Sequence, residues 1–253
     1  MTSGMTPASA TQAANALYQA SVERHDEAAK LKARMEQKKT MLLYGPEGVG
    51  KTRLLKELAA NHRLALYLGK ADNPQNLLLA ALEAMVRAQQ PGLTIPANYK
   101  TLRSTSIKGI VLRLLEQHPF TVLIDHLAGP SRAVTGLIKE MNYHERTPIL
   151  FAARSPHMED IGALLPMCAD RSERLELKNF SSTIALSFAH QAAGDQGLTA
   201  SNLEESLALM TERVEGNPGA ILTMVRMAKL PAYRVGDQIK AHVVYLDYRM
   251  GRR

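Results

Sequence analysis

The eight residues Gly45–Thr52 read GPEGVGKT and fit the pattern G-x-x-x-x-G-K-[ST]. Glycines let the backbone turn tightly, so its N–H groups and the positive end of a following helix can face an anion. Lys51 would pair with the β- and γ-phosphates, and the Thr52 hydroxyl would bind magnesium. We therefore predict a site for ATP and Mg²⁺ made by Gly45, Pro46, Glu47, Gly48, Val49, Gly50, Lys51, Thr52 and Arg53. The alternative is a loop that keeps the pattern without binding nucleotide.

Two titratable residues follow a second apolar run, FTVLI, at positions 120–124. Asp125 is expected at the edge of a sheet, where its carboxylate can hold the magnesium shell; a turn or capping aspartate is the alternative. His126 stands where many hydrolytic proteins with such a phosphate-binding loop carry a glutamate that orients the attacking water. A neutral imidazole can accept a hydrogen bond from water but has no permanent negative charge. We therefore expect slow hydrolysis, with His126 as a candidate catalytic residue.

Two further segments carry candidate contacts. Arg154 follows the predicted strand PILFAA, so its guanidinium could reach a γ-phosphate at the carboxyl edge of the sheet. The alternative is an ordinary surface arginine. The segment GNPG at 216–219 separates two predicted helices, and Pro218 suits the first turn of the second helix.

The spacing of apolar residues predicts alternating strands and helices as far as residue 177. The predicted strands are 40–44, 64–68, 120–124, 148–152 and 174–177, and the predicted helices are 12–37, 53–60, 75–88, 107–117 and 132–141. This alternation predicts an α/β fold with a parallel sheet sandwiched by helices. Later segments are typical of helices only, at 183–193, 203–214 and 218–229. The expected organisation is an N-terminal tail and helix, a P-loop NTPase core, an all-helical lid and a basic tail, at 1–37, 38–177, 178–232 and 233–253.

Composition limits the class of protein. The chain has 253 residues, of which 45% are apolar and 22% charged, as in ordinary globular proteins. The sequence lacks the long apolar stretch of a membrane span, and its start lacks the basic segment followed by an apolar one that is typical of an export signal. The single cysteine, Cys168, fits a reducing compartment. We predict a cytoplasmic protein without membrane contact.

The charge is concentrated near the end of the chain. The formal net charge is +7, and residues 226–253 contain seven Lys and Arg against two Asp. A basic segment of this kind could contact nucleic acid, although a merely solvated end is the simpler interpretation.

Taken together, several segments resemble the AAA+ superfamily, and in particular its STAND branch of NB-ARC-like switch ATPases and origin-recognition-like ATPase domains. The likeness spans about residues 20–230 and rests on MLLYGPEGVGKT, FTVLID, PILFAARS, RLELKNFSSTIALSF and VEGNPGAIL. PILFAARS is similar to the sensor strand of the family, whose arginine contacts the γ-phosphate. VEGNPGAIL is similar to its G-x-P motif, and this resemblance implies that Pro218 packs on the adenine.

The resemblance implies a nucleotide-dependent switch or assembly ATPase with a protein partner or a second copy of itself. His126 departs from the family pattern, and the chain stops soon after the lid without the further domains of larger STAND proteins. A DNA-associated ATPase of the origin-binding or transposition-helper kind is the alternative. A small-molecule kinase is a third hypothesis, against which the all-helical segment with GNPG argues. An arginine supplied by a neighbouring copy has three candidates, which are Arg132, Arg146 and Arg171.

Overall fold

The computed structural model describes residues 24–69, 72–142 and 146–251. The described chain divides into two compact units. The first, the sheet unit, contains residues 26–46 and 51–177. The second, the helical unit, contains residues 24–25, 47–50 and 178–251, so the middle of the GPEGVGKT loop groups with the C-terminal part of the chain.

The sheet unit is built on five strands, which are β1 (Met41–Tyr44), β2 (Ala65–Leu68), β3 (Thr121–Leu127), β4 (Ile149–Ala153) and β5 (Arg174–Glu176). All of them pair in parallel, in the order β2-β3-β4-β1-β5. Strand β4 and the first part of β3 are apolar and buried, as a strand covered on both faces requires. The predicted parallel sheet is confirmed.

Helices flank this sheet and bury their apolar faces. The helices of the sheet unit are α1 (His25–Glu36, whose first residue falls in the helical unit), α2 (Lys51–Asn61), α3 (Pro74–Ala88), α4 (Ser104–Gln117), α5 (Arg132–Met141) and the single turn α6 (Met158–Ile161). At the start of α3, the Asn73 side chain accepts from the Asn76 N–H and caps the first turn, and Pro74 occupies the first helical position. Helix α2 packs against β2 and β3, and α3 packs against β2 and α4.

Three element boundaries differ between the prediction and the structure. Strand β3 does not end at Asp125 but continues to Leu127, with a register shift against β4 between Ile124 and Leu127. Helix α4 begins at Ser104, three residues before its predicted start, because polar residues of the first turn hide the helical period. The predicted helix 12–37 is observed from His25 to Glu36, and its residues 12–23 lie outside the described residues.

The helical unit has its own apolar core, which includes Phe188, Leu207, Ile221 and Met224. Its helices are α7 (Ser182–Asp195), α8 (Leu203–Arg213), α9 (Pro218–Ala228) and α10 (Ala241–Arg249). A short antiparallel hairpin, β6 (Arg234–Val235) and β7 (Gln238–Ile239), precedes the last helix.

The segment expected as a basic tail, 233–253, is therefore folded as far as Arg249. Tyr233, Ile239, Ala241 and Val244 are buried in the core of the helical unit. Because cationic residues stand between these apolar positions, the sequence pattern of the segment resembles that of a solvated end. None of the helices in the described part of the chain is long and apolar enough to cross a membrane.

Candidate nucleotide-binding site

The loop after β1 has the backbone geometry of an anion cradle. Gly48 and Gly50 have φ of +79° and +107°, a region that residues with a Cβ rarely adopt. Helix α2 begins at Lys51, so its N-terminal N–H groups follow directly on the loop. The backbone thus favours glycine at Gly50, a fixed position of the pattern, and also at Gly48, one of its free positions.

Lys51 reaches back across the loop. Its Nζ donates to the carbonyl oxygens of Gly45 at 2.7 Å and Pro46 at 2.8 Å. The ammonium group is therefore held at the start of the loop, where a phosphate oxygen could take over as its partner. The pairing of Lys51 with the β- and γ-phosphates stays a prediction.

The middle of the loop is bound by the first turn of α9. The Asn217 Nδ2 donates to the Glu47 carbonyl at 2.9 Å, and the Gly219 N–H donates to the Gly48 carbonyl at 2.9 Å. The approach is close, because a Cβ on Gly219 would lie 2.8 Å from the Gly48 Cα. Asn217 also caps α9, since its Oδ1 accepts from the Ala220 N–H at 3.0 Å. The Asn217 side chain therefore caps the N-terminus of α9 and also holds the loop.

Arg24 adds a further contact to the same part of the loop. Its Nη2 donates to the Val49 carbonyl at 3.3 Å and to the Lys178 carbonyl at 2.5 Å. The guanidinium carbon lies 4.6 Å from the centre of the Phe180 ring, within cation–π range. All of these residues belong to the helical unit.

Asp125 is the buried carboxylate of the site, with the residue only 1% exposed. Its Oδ1 accepts from the His126 N–H at 2.8 Å, and its Oδ2 accepts from the Tyr67 hydroxyl at 2.8 Å. These two donors fix the plane of the carboxylate. Burial, followed by the hydrogen bond to Asp125 and the negative charge of that group, raises the pKa of Tyr67 well above its usual value.

His126 joins the two predicted magnesium ligands. Its Nε2 lies 3.4 Å from the Thr52 Oγ1 and 3.4 Å from the Asp125 Oδ2. The structure thus brings Thr52 to Asp125 and His126, although Thr52 lies 74 residues from His126 in the sequence. Within the described residues, no group of three or more His, Cys, Asp and Glu side chains could hold a metal ion by itself. A hydroxyl and a carboxylate nevertheless fit the Mg²⁺ of a nucleotide complex, because phosphate oxygens and water can supply the other ligands.

The remaining predicted residues are placed as follows. Arg154 follows β4, which lies between β1 and β3; the Gly45 N–H donates to its carbonyl at 3.2 Å, and the residue is exposed. Arg53 is half-buried in the first turn of α2. Pro218 is buried at the first position of α9. Their contacts with ATP stay predictions.

The three arginines considered as donors to a neighbouring site differ in their surroundings. Arg132 and Arg171 are exposed, whereas the Arg146 Nη1 pairs with the Glu116 Oε1 at 2.8 Å. Nothing in these contacts selects one donor.

No protein-family model and no curated protein sequence matches the chain. Solved structures do match, and each likeness covers 90% of this chain. A Walker-type ATPase of Pyrococcus abyssi is similar with 16% identity and a TM-score of 0.63, over 72% of its own length. The Orc1 protein of Aeropyrum pernix, in complex with DNA, is similar with 16% identity and a TM-score of 0.63, and Cdc6p of Pyrobaculum aerophilum with 9% and 0.59.

The chain has the P-loop NTPase fold. The resemblance to AAA+ P-loop ATPases is thereby confirmed at the level of fold, over nine-tenths of the chain. The chain covers 65% of the Orc1 structure and 63% of the Cdc6p structure. Assignment to the STAND branch and the roles of individual residues remain proposals.

Sequence reasoning missed three residues that organise this candidate site. Tyr67 stood inside a buried strand, where an aromatic residue normally signals packing alone. Asn217 was considered only as part of an interhelical turn, although an asparagine before Pro218 is a recognisable N-cap. Arg24 lies outside every motif, and no local signal could have found it.

Proposed function

We propose that the chain is an ATP-binding AAA+/STAND-type ATPase that acts as a nucleotide-dependent switch or assembly module and hydrolyses ATP slowly. The observation that carries this proposal is the convergence of Thr52 and Asp125 on one point beside the glycine loop. Lys51 would neutralise the β- and γ-phosphates, and Thr52 and Asp125 would hold Mg²⁺, which offsets phosphate charge when bound.

The contacts of α9 with the loop support a switching role. A phosphate bound in the loop would accept hydrogen bonds from loop N–H groups, whereas the Glu47 and Gly48 carbonyls accept from the Asn217 Nδ2 and the Gly219 N–H. A change in loop conformation on phosphate binding would therefore alter the contacts at the start of α9. Pro218 would contact the adenine and Arg154 the γ-phosphate, so ATP and ADP would favour different arrangements through different contacts.

The residue after Asp125 supports slow turnover. His126 replaces the carboxylate that would orient water, and its Nε2 lies 3.4 Å from both Thr52 and Asp125. An imidazole held there is poorly available as a general base. We therefore expect turnover well below that of P-loop enzymes with an acidic residue at this position.

The test is the thermal stability of the full chain with and without saturating Mg-ATP. Wild-type protein should be stabilised, and Lys51→Ala should bind ATP at least about tenfold more weakly, because the ammonium contact with the phosphates is lost. Asp125→Asn should lose the magnesium dependence selectively. Lys139→Ala removes an exposed helical lysine and serves as the matched control. No stabilisation of wild-type protein by Mg-ATP would refute the proposal.

A DNA-associated ATPase is the second candidate. It is favoured by the likeness to an Orc1 protein in complex with DNA and by the exposed Arg226, Lys229 and Arg249 of the helical unit. ATP turnover and particle mass, measured with and without duplex DNA over a salt series, separate the two candidates. Stimulation by DNA that falls steeply with salt favours the DNA-associated ATPase, whereas ATP-dependent assembly without DNA favours the switch.

A further inference from the structure

His126 has an unusual backbone conformation for a strand residue. Its φ is +53°, in the left-handed region that few residues other than glycine enter, with asparagine, aspartate and histidine the more frequent exceptions. It lies within β3, at the point where the register with β4 shifts. Irregularities of this kind re-aim a side chain, and they persist only where the surrounding structure holds them. The conformation of His126 thus has a direct consequence for where its imidazole lies.

The consequence is visible in the distances from its Nε2. This atom is 3.4 Å from the Thr52 Oγ1 and 3.4 Å from the Asp125 Oδ2. Neighbouring ligands of an octahedral cation with bonds of about 2.1 Å lie about 3.0 Å apart, and those of a tetrahedral zinc site about 3.3 Å apart. The observed separations match the edges of such a coordination shell to within a few tenths of an ångström. They are longer than most strong hydrogen bonds.

The carboxylate beside His126 is prepared as a ligand. Asp125 is buried, and each of its oxygens accepts one hydrogen bond, from the His126 N–H and from the Tyr67 hydroxyl. Each carboxylate oxygen has further lone pairs, and outer-shell donors of this kind orient metal-binding carboxylates. The Tyr67 hydroxyl therefore acts as a positioning group for the ligand.

We propose that His126 Nε2 is a direct ligand of the divalent cation of the nucleotide complex, together with Thr52 and Asp125. The inference rests on the proposed ATP site and adds a nitrogen donor to it. Carboxylate and hydroxyl oxygens suit Mg²⁺ and Mn²⁺, whereas imidazole adds affinity for Mn²⁺, Co²⁺ and Ni²⁺ relative to Mg²⁺. The site is thus built for nucleotide complexes of first-row transition ions as well as for Mg-ATP.

The decisive experiment is pulsed electron paramagnetic resonance of the full chain loaded with Mn²⁺ and the methylene-bridged ATP analogue. Wild-type protein should show the coupling of a directly bound histidine nitrogen, and labelling histidine with nitrogen-15 should change that coupling, which separates it from adenine nitrogen. His126→Asn should abolish the signal, because asparagine tolerates the left-handed backbone but lacks the ring nitrogen. His157→Ala, which removes another exposed histidine of the sheet unit, should leave it unchanged.

A second experiment measures binding affinity instead of a spectroscopic signal. The ratio of analogue affinity with Co²⁺ to that with Mg²⁺ should fall about tenfold in His126→Asn, while the affinity with Mg²⁺ changes by less than about threefold. Wild-type protein that binds the Mn²⁺ complex without any histidine coupling would overturn the ligand role and leave the ATP site intact. Wild-type protein that binds no metal–nucleotide complex would overturn both.

Discussion

The middle and the end of the phosphate loop are held by different kinds of contact. The backbone carbonyls of Glu47 and Gly48 accept hydrogen bonds from the first turn of α9. The contact is so close that neither Gly48 nor Gly219 has room for a Cβ. Lys51 and Thr52 are placed by their side chains, near the start of the loop and near His126. The first region depends on shape and the second on charge and ligation. Substitutions in the two regions should therefore have different phenotypes.

The largest effect is expected from Gly48→Ala. A Cβ there would meet the Asn217 Oδ1 at 2.6 Å and would sit on a backbone with φ of +79°. The left-handed conformation alone costs about 1–2 kcal/mol for a residue with a Cβ, and the close contact adds to it. Gly50→Ala is the matched control, because its φ is +107° but nothing lies within 4 Å of the added atom. Urea unfolding without nucleotide should show a larger loss of unfolding free energy for Gly48→Ala.

A double-mutant cycle sharpens this result. Asn217→Ala removes the atom that the new Cβ meets, so Gly48→Ala combined with Asn217→Ala should be less destabilised than the sum of the single variants. Equal losses in Gly48→Ala and Gly50→Ala, with additive behaviour in the cycle, would mean that the middle of the loop is not held by α9.

Arg154→Ala tests the phosphate-sensing hypothesis. If the guanidinium contacts the γ-phosphate, its loss removes a charge-assisted hydrogen bond worth about 1.5–3 kcal/mol with ATP and nothing with ADP. The gap between the two affinities should narrow by about tenfold or more. Pro218→Ala should weaken both nucleotides alike. Titration calorimetry of both variants measures this, and an unchanged ATP-to-ADP ratio in Arg154→Ala would exclude the sensing role.

Hydrogen exchange in residues 178–230 gives a separate measure of switching. Protection there should differ between ADP and a non-hydrolysable ATP analogue in wild-type protein, and the difference should shrink in Arg154→Ala. Identical protection in both nucleotide states would leave a nucleotide-binding domain without a switch.

The oxygen and the nitrogen of the Asn217 side chain should make separable contributions. Asn217→Ala loses the helix cap made by Oδ1, worth about 1 kcal/mol, and the Nδ2 hydrogen bonds to the Glu47 carbonyl and the Asn179 Oδ1, each worth about 0.5–1.5 kcal/mol. Asn217→Ser keeps a capping oxygen but lacks the amide donor, so it should lose only the contribution of Nδ2. Unfolding free energies from urea titration distinguish the two variants. A serine variant as stable as wild type, with unchanged exchange at residues 47–50, would show that the loop contact contributes nothing.

The smallest effect is expected at Tyr67. Tyr67→Phe removes the hydrogen bond to Asp125, and we expect a loss of about 1 kcal/mol of unfolding free energy at neutral pH. The raised pKa means that folded protein keeps the phenol proton above pH ~10, where the unfolded chain loses it. The contribution of the phenol is therefore complete below about pH 10 and is lost as the pH rises further. A difference between wild type and Tyr67→Phe that stays constant from pH 7 to 11 would contradict this.

The sequence predicted those parts of the site that depend on neighbouring residues. The loop pattern, the strand before it and the helix after it are local, and Asp125 follows an apolar run typical of a buried strand. The extension of β3 to Leu127 was not predictable, because Asp125 and His126 interrupt the apolar run while the backbone continues to pair. An apolar pattern reports burial and not hydrogen bonding.

The contacts that join distant segments could not be predicted in the same way. Asn217 and Glu47 are 170 residues apart, and Tyr67 and Asp125 are 58 apart. Each side chain also has an ordinary local explanation, as a helix cap or a strand aromatic. Without the fold, nothing favours the distant partner over the local one.

The distance in sequence between Glu47 and Asn217 bears on the order in which the protein is made. When β1, α2 and the sheet have left the ribosome, the loop still lacks the helix that holds its middle, because α9 begins 157 residues after the end of α2. Contacts of such high sequence separation form late in folding. A nascent chain can therefore complete its sheet before residues 47–50 acquire their final partners. Nucleotide would then meet a fully held loop only after the start of α9 has been made.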